Sequence, residues 1–411
     1  MNSNKGITNM RLNMQKEVFA IALSTVLMMA LQGTPSLAQA QTLAPTATPD
    51  SVPGPTPATD AESLAIAKSV DQLVLSELSQ QNIPGYALAV IKDGKLIVHR
   101  GYGVMDLQTQ QPVTPQTVFG LASLTKTFTA LTLLTLVDQG KVGLDDTLDM
   151  YVSDLTKPYQ KLTIRQLASM TAGVPKELAQ EVEWKNQLPI LVNTPLVSEP
   201  GTAFLYSNFS YRLLGDVIQK ASSRPYFELV RERIFTPLQM TSSGTTVEFQ
   251  SSGLLASPYG DNNGQAQVHP VQYKSPAISF SAGMLASTVD DLLKYSQALL
   301  SRQLLSPASY QTLWYQRPPL PGGAPSPWAF GWSSKVDPKY GTRIVAMNGG
   351  TPGVASTIIL LPEKNCAVVS LCNLRKPAVP AIARKVASLV FSVEPASSTS
   401  QTPPSEEQTG E

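Results

Sequence analysis

The chain has little cysteine or histidine, two side chains that often carry metal-dependent or nucleophilic chemistry. Its 411 residues include two of each. His99 and His269 are far apart in sequence and have no histidine, cysteine or carboxylate companions at metal-ligand spacing. The same scarcity argues against a Ser-His-Asp triad, and no Gly-x-Ser-x-Gly elbow occurs. The sequence therefore predicts no metal or other cofactor, and a serine nucleophile would need lysine or tyrosine as its base.

The two cysteines are not placed for a disulfide bond. Cys366 and Cys372 lie in and just after the apolar run Cys366–Leu371. Six residues apart on one extended strand, they would be about 20 Å apart, which is too far for a disulfide. We interpret both as small buried hydrophobic residues.

The chain also has no large excess of positive or negative charge. The formal net charge is +1 and 15% of the residues are charged, so nothing supports nucleic acid or an acidic surface as the main partner. The length and the 42% hydrophobic content allow one large domain or two small ones with a substantial core. No repeat at a solenoid or propeller period is evident. The composition is that of a globular protein, and it leaves the oligomeric state open.

The N-terminal segment lacks an apolar run long enough for a comfortable membrane span. The run Val18–Leu31 follows Arg11 and Lys16 and is shorter than the roughly 20 residues that a spanning helix needs. The segment Pro35–Ala40 then ends in an Ala-x-Ala cleavage pattern. We predict that residues 1–40 are a cleaved signal peptide, that the protein is exported to the periplasm or the extracellular space, and that no stable membrane span remains. An uncleaved anchor is the alternative.

The remaining chain divides by composition into a linker, one domain and a tail. Residues 41–60 are rich in Pro, Thr, Ala and Ser and are predicted to form a flexible linker. Residues 394–411, with Ser, Thr, Pro and Glu, are predicted to be a disordered tail. The sequence places one long globular domain between them, over residues 61–393.

Periodicity predicts helices and strands in an order typical of α+β proteins. Apolar residues at steps of three and four predict a helix over Ala61–Gln81. Tyr86–Ile91 and Leu96–Val98 flank Asp93-Gly94, which predicts a β-hairpin. A helix headed by Ser123 is apolar on several sides, which is typical of a buried helix, and Gly140 is its predicted C′ residue.

The middle of the chain is predicted to be helix and loop, and strands return near its end. Between Leu144 and about Ser281, the predicted helices are Thr163–Met170, Tyr211–Ala221 and Tyr226–Ile234. The late predicted strands are Arg343–Met347, Ser356–Leu361 and Cys366–Leu371. We expect one antiparallel sheet assembled from the N- and C-terminal strands, flanked by helices, with a mainly helical insert.

The sequence Ser123-Leu-Thr-Lys126, at the head of the apolar helix, is a candidate nucleophile and base. Spacing i, i+3 puts the lysine amine on the same helix face as the hydroxyl. A desolvated lysine can act as a base because its neutral form becomes accessible. The alternative is a helix cap followed by a surface lysine.

A second candidate group is Tyr206-Ser-Asn208, which follows a turn at Pro200-Gly201. With Ser123-x-x-Lys126, it resembles the serine β-lactamase and penicillin-binding-protein superfamily, and most closely its branch of class C β-lactamases, DD-peptidases and esterases. Supporting stretches are Thr163–Gly173, Ala282–Leu292 and Gly349-Gly-Thr-Pro-Gly353. The resemblance covers roughly Ala61–Val393 and implies an exported serine hydrolase that forms an acyl-enzyme with an amide, β-lactam or ester carbonyl.

The resemblance also implies a role for each matching residue. Ser123 would be the nucleophile and Lys126 the group that activates it. Tyr206 would be the second acid or base, a role for which we expect Lys126 to lower its pKa from the usual value of about 10. Asn208 would hydrogen-bond Lys126 and the amide of the substrate. The backbone N–H groups of Ser123 and Gly350 would form the oxyanion hole.

Each of these residues also has a structural interpretation. Tyr206 would then be an ordinary half-buried aromatic, and Asn208 a turn residue or the N-cap of the helix Tyr211–Ala221. Gly349 and Gly350 would be glycines that the backbone conformation requires. The joint occurrence of the motifs favours the functional interpretation.

The chain departs from the family pattern in its third motif. That motif usually begins with lysine or histidine, and the aligned substrate-binding residues here are Met347, Asn348 and Gly349. A thioether is uncharged and only a weak acceptor, so Met347 cannot attract a substrate carboxylate. Met170 likewise stands where this branch often has histidine.

The missing cation bears on the substrate. A charge-assisted hydrogen bond contributes about 1.5–3 kcal/mol, which is roughly ten- to a hundredfold in affinity. Its loss should weaken anionic substrates more than neutral esters. A β-lactam, a D-Ala-D-Ala peptide and an ester all remain open as substrates, and so does the origin of the substrate in peptidoglycan. The alternative function, which is binding instead of catalysis, is that of a catalytically degenerate module that binds a cell-wall ligand or a partner protein.

Overall fold

The structure is a computed structural model that describes residues 55–177, 182–261, 268–376 and 378–393. The predicted signal peptide, the predicted tail and most of the predicted linker lie outside the described residues. Within the described ranges, no helix has both the length and the apolar character needed to span a bilayer.

One six-stranded antiparallel sheet lies at the centre of the fold. The strands are β1 Gly85–Lys92, β2 Lys95–Gly103, β3 Phe119–Gly120, β4 Gly244–Thr245, β5 Tyr259–Asp261, β6 Val268–Pro270, β7 Leu285–Ser287, β8 Ser333–Asp337, β9 Thr342–Thr351, β10 Val354–Leu361 and β11 Cys366–Cys372. The main sheet has the order β2-β1-β11-β10-β9-β8, and β3-β7-β4 and β5-β6 form two small sheets. The N-terminal hairpin therefore pairs with the C-terminal strands, which confirms the predicted α+β fold.

Helices cover both faces of the main sheet. They are α1 Ala61–Gln81, α2 Thr125–Asp138, α3 Lys157–Gln160, α4 Ile164–Ala168, α5 Trp184–Leu191, α6 Asn208–Ser222, α7 Tyr226–Val230, α8 Thr246–Phe249, α9 Pro276–Ser279, α10 Val289–Leu300, α11 Pro307–Trp314 and α12 Ala378–Phe391. The predicted helix Ala61–Gln81 is confirmed at both ends. The predicted hairpin is confirmed as well, with Asp93 and Gly94 at φ 51° and 79°, as a two-residue turn of type I′ requires.

Strand β10 contributes to two hydrophobic cores because alternate side chains point to opposite faces of a sheet. Ile358 and Leu360 belong to the larger core, which includes α2, α6 and α10. Ile359 and Leu361 belong to the smaller core, under α1 and α12. Every residue of β10 is buried, so the sheet is covered on both faces at this strand.

The inserted region is mostly helical, with two corrections to the prediction. Strands β4, β5 and β6 lie in the part of the chain predicted to be helix and loop. They have two or three residues each, which is too short for an alternating pattern to be recognised in sequence. The predicted helix Tyr226–Ile234 is also divided, since α7 ends at Val230 and a π-helical turn follows over Arg231–Phe235.

Helix α2 is buried along most of its length, as its apolar composition predicts. It ends at Asp138, and Gly140 has φ 67°, which confirms the glycine as the C′ residue. Cys366 and Cys372 are buried and unbonded, as predicted. The burial of α2 places any polar side chain on its first turn in a low-dielectric environment.

Candidate active site

Ser123 lies in a single 3₁₀ turn, Ala122–Leu124, that leads directly into α2. Its side chain is half-buried and lines a cavity. The preceding Ala122 has φ 46°, a left-handed conformation that costs energy for a residue with a Cβ. Such strained residues are concentrated at active sites. The turn therefore presents the serine hydroxyl in the cavity at the start of a rigid helix.

Lys126 is fully buried, and its amine contacts three oxygen atoms. The Nζ atom is 3.1 Å from Ser123 Oγ, 2.8 Å from Asn208 Oδ1 and 2.8 Å from the carbonyl oxygen of Ala282. The last two atoms can only accept hydrogen bonds. A neutral amine has two hydrogens and one lone pair, so these two acceptors take the hydrogens and the lone pair faces the Ser123 hydroxyl. This geometry suits proton transfer from Ser123 to Lys126.

The electrostatic environment favours the neutral amine. Burial lowers the pKa of Lys126 well below its usual value, and the positive charge of Arg212 lowers it further. Glu177 opposes them and raises the pKa. Arg212 is itself buried and lies on α6. Burial and the Arg212 charge thus outweigh Glu177 and favour the neutral form of the Lys126 amine.

Tyr206 lies beside the same amine but does not have the predicted pKa. Lys126 Nζ is 5.1 Å from the centroid of the phenol ring, and Trp328 packs edge-on against the ring at 5.6 Å. Burial raises the pKa of Tyr206 to about 12, although a side-chain hydrogen bond with Ser123 partly opposes this rise. The expectation that Lys126 lowers this pKa is therefore wrong, because a lysine that is itself desolvated and neutral offers no charge to stabilise a phenolate.

Asn208 is the first residue of α6, and Ser207 is the N-cap, so the alternative of Asn208 as the N-cap is wrong. The Ser207 side chain accepts a hydrogen bond from the backbone of Ser210 and donates one to the carbonyl of Pro175. The amide of Asn208 accepts from Lys126 through Oδ1 and donates to Glu177 through Nδ2. The carboxylate and the amine together fix the orientation of the amide.

The third motif lies on β9, directly against the turn that carries Ser123. A Cβ at Gly349 would lie 2.0 Å from the carbonyl oxygen of Leu121 and 3.0 Å from the backbone nitrogen of Leu124. Only glycine permits this approach. Ser356 on β10 secures the same turn by donating to Leu121 O at 2.7 Å. Gly350, the next residue, lines the cavity together with Ser123.

The structure does not bring the side chains of Met347 and Asn348 to the cavity. Met347 is 4% exposed and belongs to the larger core, opposite Ile358 on β10. Asn348 points to the other face of the sheet, where its Oδ1 accepts from Thr357 at 3.1 Å. Neither is among the described residues that line the cavity. The methionine is therefore a core residue here, which explains why its lack of charge is tolerated.

Several charged residues of the site were not predicted from sequence. Glu177 and Arg212 influence the pKa of Lys126. Glu177 also lines a cavity of about 590 Å³ together with Lys176, Lys274 and Arg375. They come from separate segments without motif spacing, so only the fold brings them together. The carbonyl of Ala282 lies in a stretch that resembled the family, but its contact with Lys126 had no sequence pattern of its own.

Comparison with known proteins identifies the family of this chain. A family profile described as Beta-lactamase matches residues 68–390. The chain therefore belongs to the beta-lactamase family, and the resemblance to the serine β-lactamase and penicillin-binding-protein superfamily is confirmed.

Two curated relatives have a low sequence identity to this chain. Protein flp of Staphylococcus aureus (strain MW2) is 28% identical over 332 residues, which cover 76% of this chain and 64% of that protein. Penicillin-binding protein 4* of Bacillus subtilis (strain 168) is 28% identical over 324 residues, with 73% and 69% covered. This chain therefore spans less than two thirds of the length of protein flp.

Solved structures show the same fold at lower identity. The octameric penicillin-binding protein homologue from Pyrococcus abyssi has a TM-score of 0.70 at 24% identity, over 78% of this chain and 77% of that one. The beta-lactamase/D-alanine carboxypeptidase from Pseudomonas syringae has a TM-score of 0.70 at 22% identity, over 80% and 100%. These similarities establish the fold but do not define the reaction.

Proposed function

We propose that this protein is a serine hydrolase that forms an acyl-enzyme at Ser123. The observation that carries the proposal is the amine of Lys126, which is buried, has a lowered pKa and contacts Ser123 Oγ at 3.1 Å. Acceptors on Asn208 and Ala282 occupy the other two positions around the nitrogen. A helix cap with a surface lysine would show none of these features.

In the acylation step, Ser123 Oγ attacks the carbonyl carbon and its proton passes to Lys126 Nζ. The N–H groups of Ser123 and Gly350 are the candidate donors to the resulting oxyanion. Collapse breaks the bond to the leaving group, which takes its proton from the phenol of Tyr206. Because burial raises the pKa of Tyr206 to about 12, the phenol is protonated at neutral pH and available as this acid.

The acyl-enzyme then contains an ammonium at Lys126 and a phenolate at Tyr206, held close together. Water attacks the ester carbonyl and gives its proton to the phenolate. As the second tetrahedral intermediate collapses, Ser123 Oγ recovers a proton from Lys126. Both groups return to their starting states, so the cycle is balanced without an external base. In this mechanism, the Lys126 ammonium and the Tyr206 phenolate attract each other only in the acyl-enzyme, because Lys126 is neutral in the resting enzyme.

The substrate is a compound with an amide, β-lactam or ester carbonyl. A small molecule or peptide derived from peptidoglycan fits this class, and so does a simple ester. Among structural neighbours, EstCE1 is a hydrolase with promiscuous acyltransferase activity, and the Pseudomonas syringae protein is a beta-lactamase/D-alanine carboxypeptidase. Parallel assays with nitrocefin, a D-Ala-D-Ala peptide and p-nitrophenyl butyrate distinguish these classes.

The proposal is tested by covalent labelling of the purified full chain. A fluorophosphonate or a fluorescent penicillin should label the wild type, and Ser123→Ala should abolish both labelling and hydrolysis. Ser251→Ala, which alters an exposed serine outside the cavity, is the matched control and should label normally. A folded wild type that neither probe labels would contradict the proposal. Retention of a cell-wall ligand by Ser123→Ala would then favour the catalytically degenerate binding module.

We also propose that the protein is exported and that residues 61–393 are its catalytic domain. The basic and apolar N-terminal segment with its Ala-x-Ala pattern supports export, and α1 and α12 begin and end within these domain limits. N-terminal sequencing of the protein recovered from the producing cells tests the cleavage site. A mature protein that still begins at residue 1 would contradict the cleavage and support the anchor.

A further inference from the structure

A buried arginine, Arg212, borders a small cavity of about 70 Å³ beside Ser123. The residues that contact the Lys126 amine line the same cavity, and they are Ser123, Asn208 and Ala282. Arg212 follows Asn208 by four residues on α6, which places both side chains on one face of the helix. The arginine therefore lies close to the buried lysine without being part of its hydrogen-bond shell.

Contacts with α5 and α6 hold the guanidinium of Arg212 in this position. Gln187 on α5 accepts a hydrogen bond from Arg212 Nη1 through Oε1 and donates one to the carbonyl of Val182 through Nε2, so both ends of the amide are engaged. The rings of Phe209 and Trp184 lie 5.1 and 5.9 Å from the guanidinium carbon, a distance at which a cation is attracted to an aromatic ring. The arginine thus has a fixed and buried position.

Helix α5 is anchored to the face of α6 that carries the arginine. Trp184, the first residue of α5, donates from Nε1 to Asp216 Oδ2 at 2.8 Å. Asp216 follows Arg212 by four residues on α6, so the two side chains are neighbours on that face. Burial raises the pKa of Asp216 to about 7. Trp184 and Gln187, one turn apart on α5, therefore contact the arginine and the residue beyond it.

The Lys126 amine is subject to opposing charges. The charged and titratable side chains that face this amine or line the cavity beside it are Arg212, Glu177, Lys274, Tyr206 and Tyr211. Burial raises the pKa of both phenols, and that of Tyr206 to about 12, so neither carries a charge near neutral pH. Arg212 lowers the pKa of Lys126 and Glu177 raises it. A cation held near a buried amine disfavours the ammonium because like charges repel strongly at low dielectric.

We propose that Gln187 and Arg212 are positioning residues for the base: Gln187 holds the guanidinium, and the guanidinium keeps the Lys126 amine neutral in the resting enzyme. The inference rests on the proposed function in taking Lys126 as the base for Ser123. Helix α5 would thereby influence the reaction although none of its residues is among the described residues that line the two cavities at Ser123.

The first test titrates the lysine directly and needs no turnover. In the full chain with Ser123→Ala, carbon NMR of isotopically labelled lysine follows Lys126, whose signal is identified by its loss on adding Lys126→Met. Adding Arg212→Met, which removes the charge and keeps an unbranched side chain between the aromatic rings, should move the titration of Lys126 to higher pH. Arg212→Lys retains a cation and should move it less.

Gln187→Glu provides a second variant in which the arginine stays in place. The new carboxylate would accept from the same guanidinium and offset its charge at Lys126. The titration of Lys126 should again move to higher pH. Arg224→Met is the matched control, because Arg224 is an exposed arginine just beyond α6 that pairs with Glu228 and Glu232. It should leave the titration unchanged.

Turnover provides the second measurement. With Ser123 present, the acid limb of kcat/KM for p-nitrophenyl butyrate should move to higher pH in Arg212→Met and in Gln187→Glu, because the active enzyme contains neutral Lys126. Activity at pH values above the limb should change little. Arg224→Met should keep the wild-type profile.

The outcomes separate this inference from the proposed function. An unchanged Lys126 titration in both Arg212→Met and Gln187→Glu would overturn it, and so would an equal shift in Arg212→Lys and Arg212→Met, which would indicate packing instead of charge. A loss of activity at every pH without movement of the acid limb would mean that Arg212 has only a structural role. A shifted titration in a chain that hydrolyses no ester, β-lactam or peptide would overturn the hydrolase and leave the effect of Arg212 on Lys126 intact.

Discussion

At the residue scale, Glu177 acts on both groups that exchange protons in the proposed mechanism. Its negative charge raises the pKa of Lys126 and also that of Tyr206. It also fixes the amide of Asn208, which in turn accepts from Lys126. In the proposed mechanism, Glu177 is therefore a positioning residue whose charge contributes to the pH range of activity.

We predict that Glu177→Gln moves the pH profile of kcat/KM to lower pH. Activity requires neutral Lys126 and protonated Tyr206, so the acid limb follows the first group and the alkaline limb the second. Removing the carboxylate removes one of the charges that raise each pKa, so both limbs should move to lower pH. Hydrolysis rates between pH 4 and pH 11 measure the shift of the acid limb, because the alkaline limb follows Tyr206, whose pKa is about 12.

The control for this prediction is Glu177→Asp, which keeps the charge and should return the limbs toward their wild-type positions. If Glu177→Gln lowers the maximal kcat/KM but leaves both limbs of the pH profile at their wild-type pH, the carboxylate has a purely structural role. A shift to higher pH would contradict the assignment of the base.

At the scale of elements, the site depends on the contact between β9 and the turn before α2. The two segments touch at backbone distance because residue 349 has no side chain. Neither the turn before α2 nor β9 alone forms the cavity, since Ser123 comes from the turn and Gly350 from the strand. The contact between these two segments, rather than either motif, positions Ser123 relative to Gly350.

We predict that Gly349→Ala separates these two elements. Its Cβ would lie 2.0 Å from Leu121 O, and backbone atoms cannot yield as a flexible side chain does, so the free energy of unfolding should fall by about 1–3 kcal/mol. Labelling by a fluorophosphonate should fall by about tenfold or more, because a displacement of 1 Å costs about a hundredfold in rate. Urea unfolding and labelling kinetics provide the two measurements.

Gly350→Ala is the matched comparison for stability. The added Cβ would meet only the Arg375 side chain, at 3.3 Å, which can move aside. Its free energy of unfolding should therefore stay within about 1 kcal/mol of the wild type. Equal destabilisation by both substitutions would contradict the proposed role of the close contact.

At the scale of the whole molecule, the main sheet separates two cores with different tasks. The larger core surrounds α2 and supports the active site, and the smaller core joins α1 and α12 to the far face of the sheet. Because β10 and β11 are buried on both faces, both cores contribute to the stability of the same strands.

We predict that substitutions in the two cores affect stability alike but activity differently. Ile382→Ala on α12 and Leu131→Ala on α2 each remove a fully buried side chain and should lower the free energy of unfolding by about 2–5 kcal/mol. At a temperature where both variants are folded, Leu131→Ala should lower kcat/KM, whereas Ile382→Ala should not. Denaturant titration with activity assays measures both effects, and a loss of activity in Ile382→Ala would contradict the separation.

Sequence alone determined the longer helices and strands of this protein and its candidate nucleophile and base. Helix α1, the Asp93-Gly94 hairpin and the late strands follow from local periodicity and turn chemistry, which act over a few residues. The pair Ser123 and Lys126 could be recognised because both lie on one helical turn. The interpretation of Tyr206 and Asn208 needed the family resemblance, since 80 residues or more separate them from that turn.

Only the tertiary structure decided the electrostatics and the outer part of the site. The pKa values of Lys126 and Tyr206 depend on burial, which is a property of the packed fold, so the predicted lowering at Tyr206 was wrong. Met347 proved to be a core residue, and Arg375 reached the cavity from the end of another strand. Local interactions specify helices, turns and nearest-neighbour pairs, but burial and charge between distant segments exist only once the chain has folded.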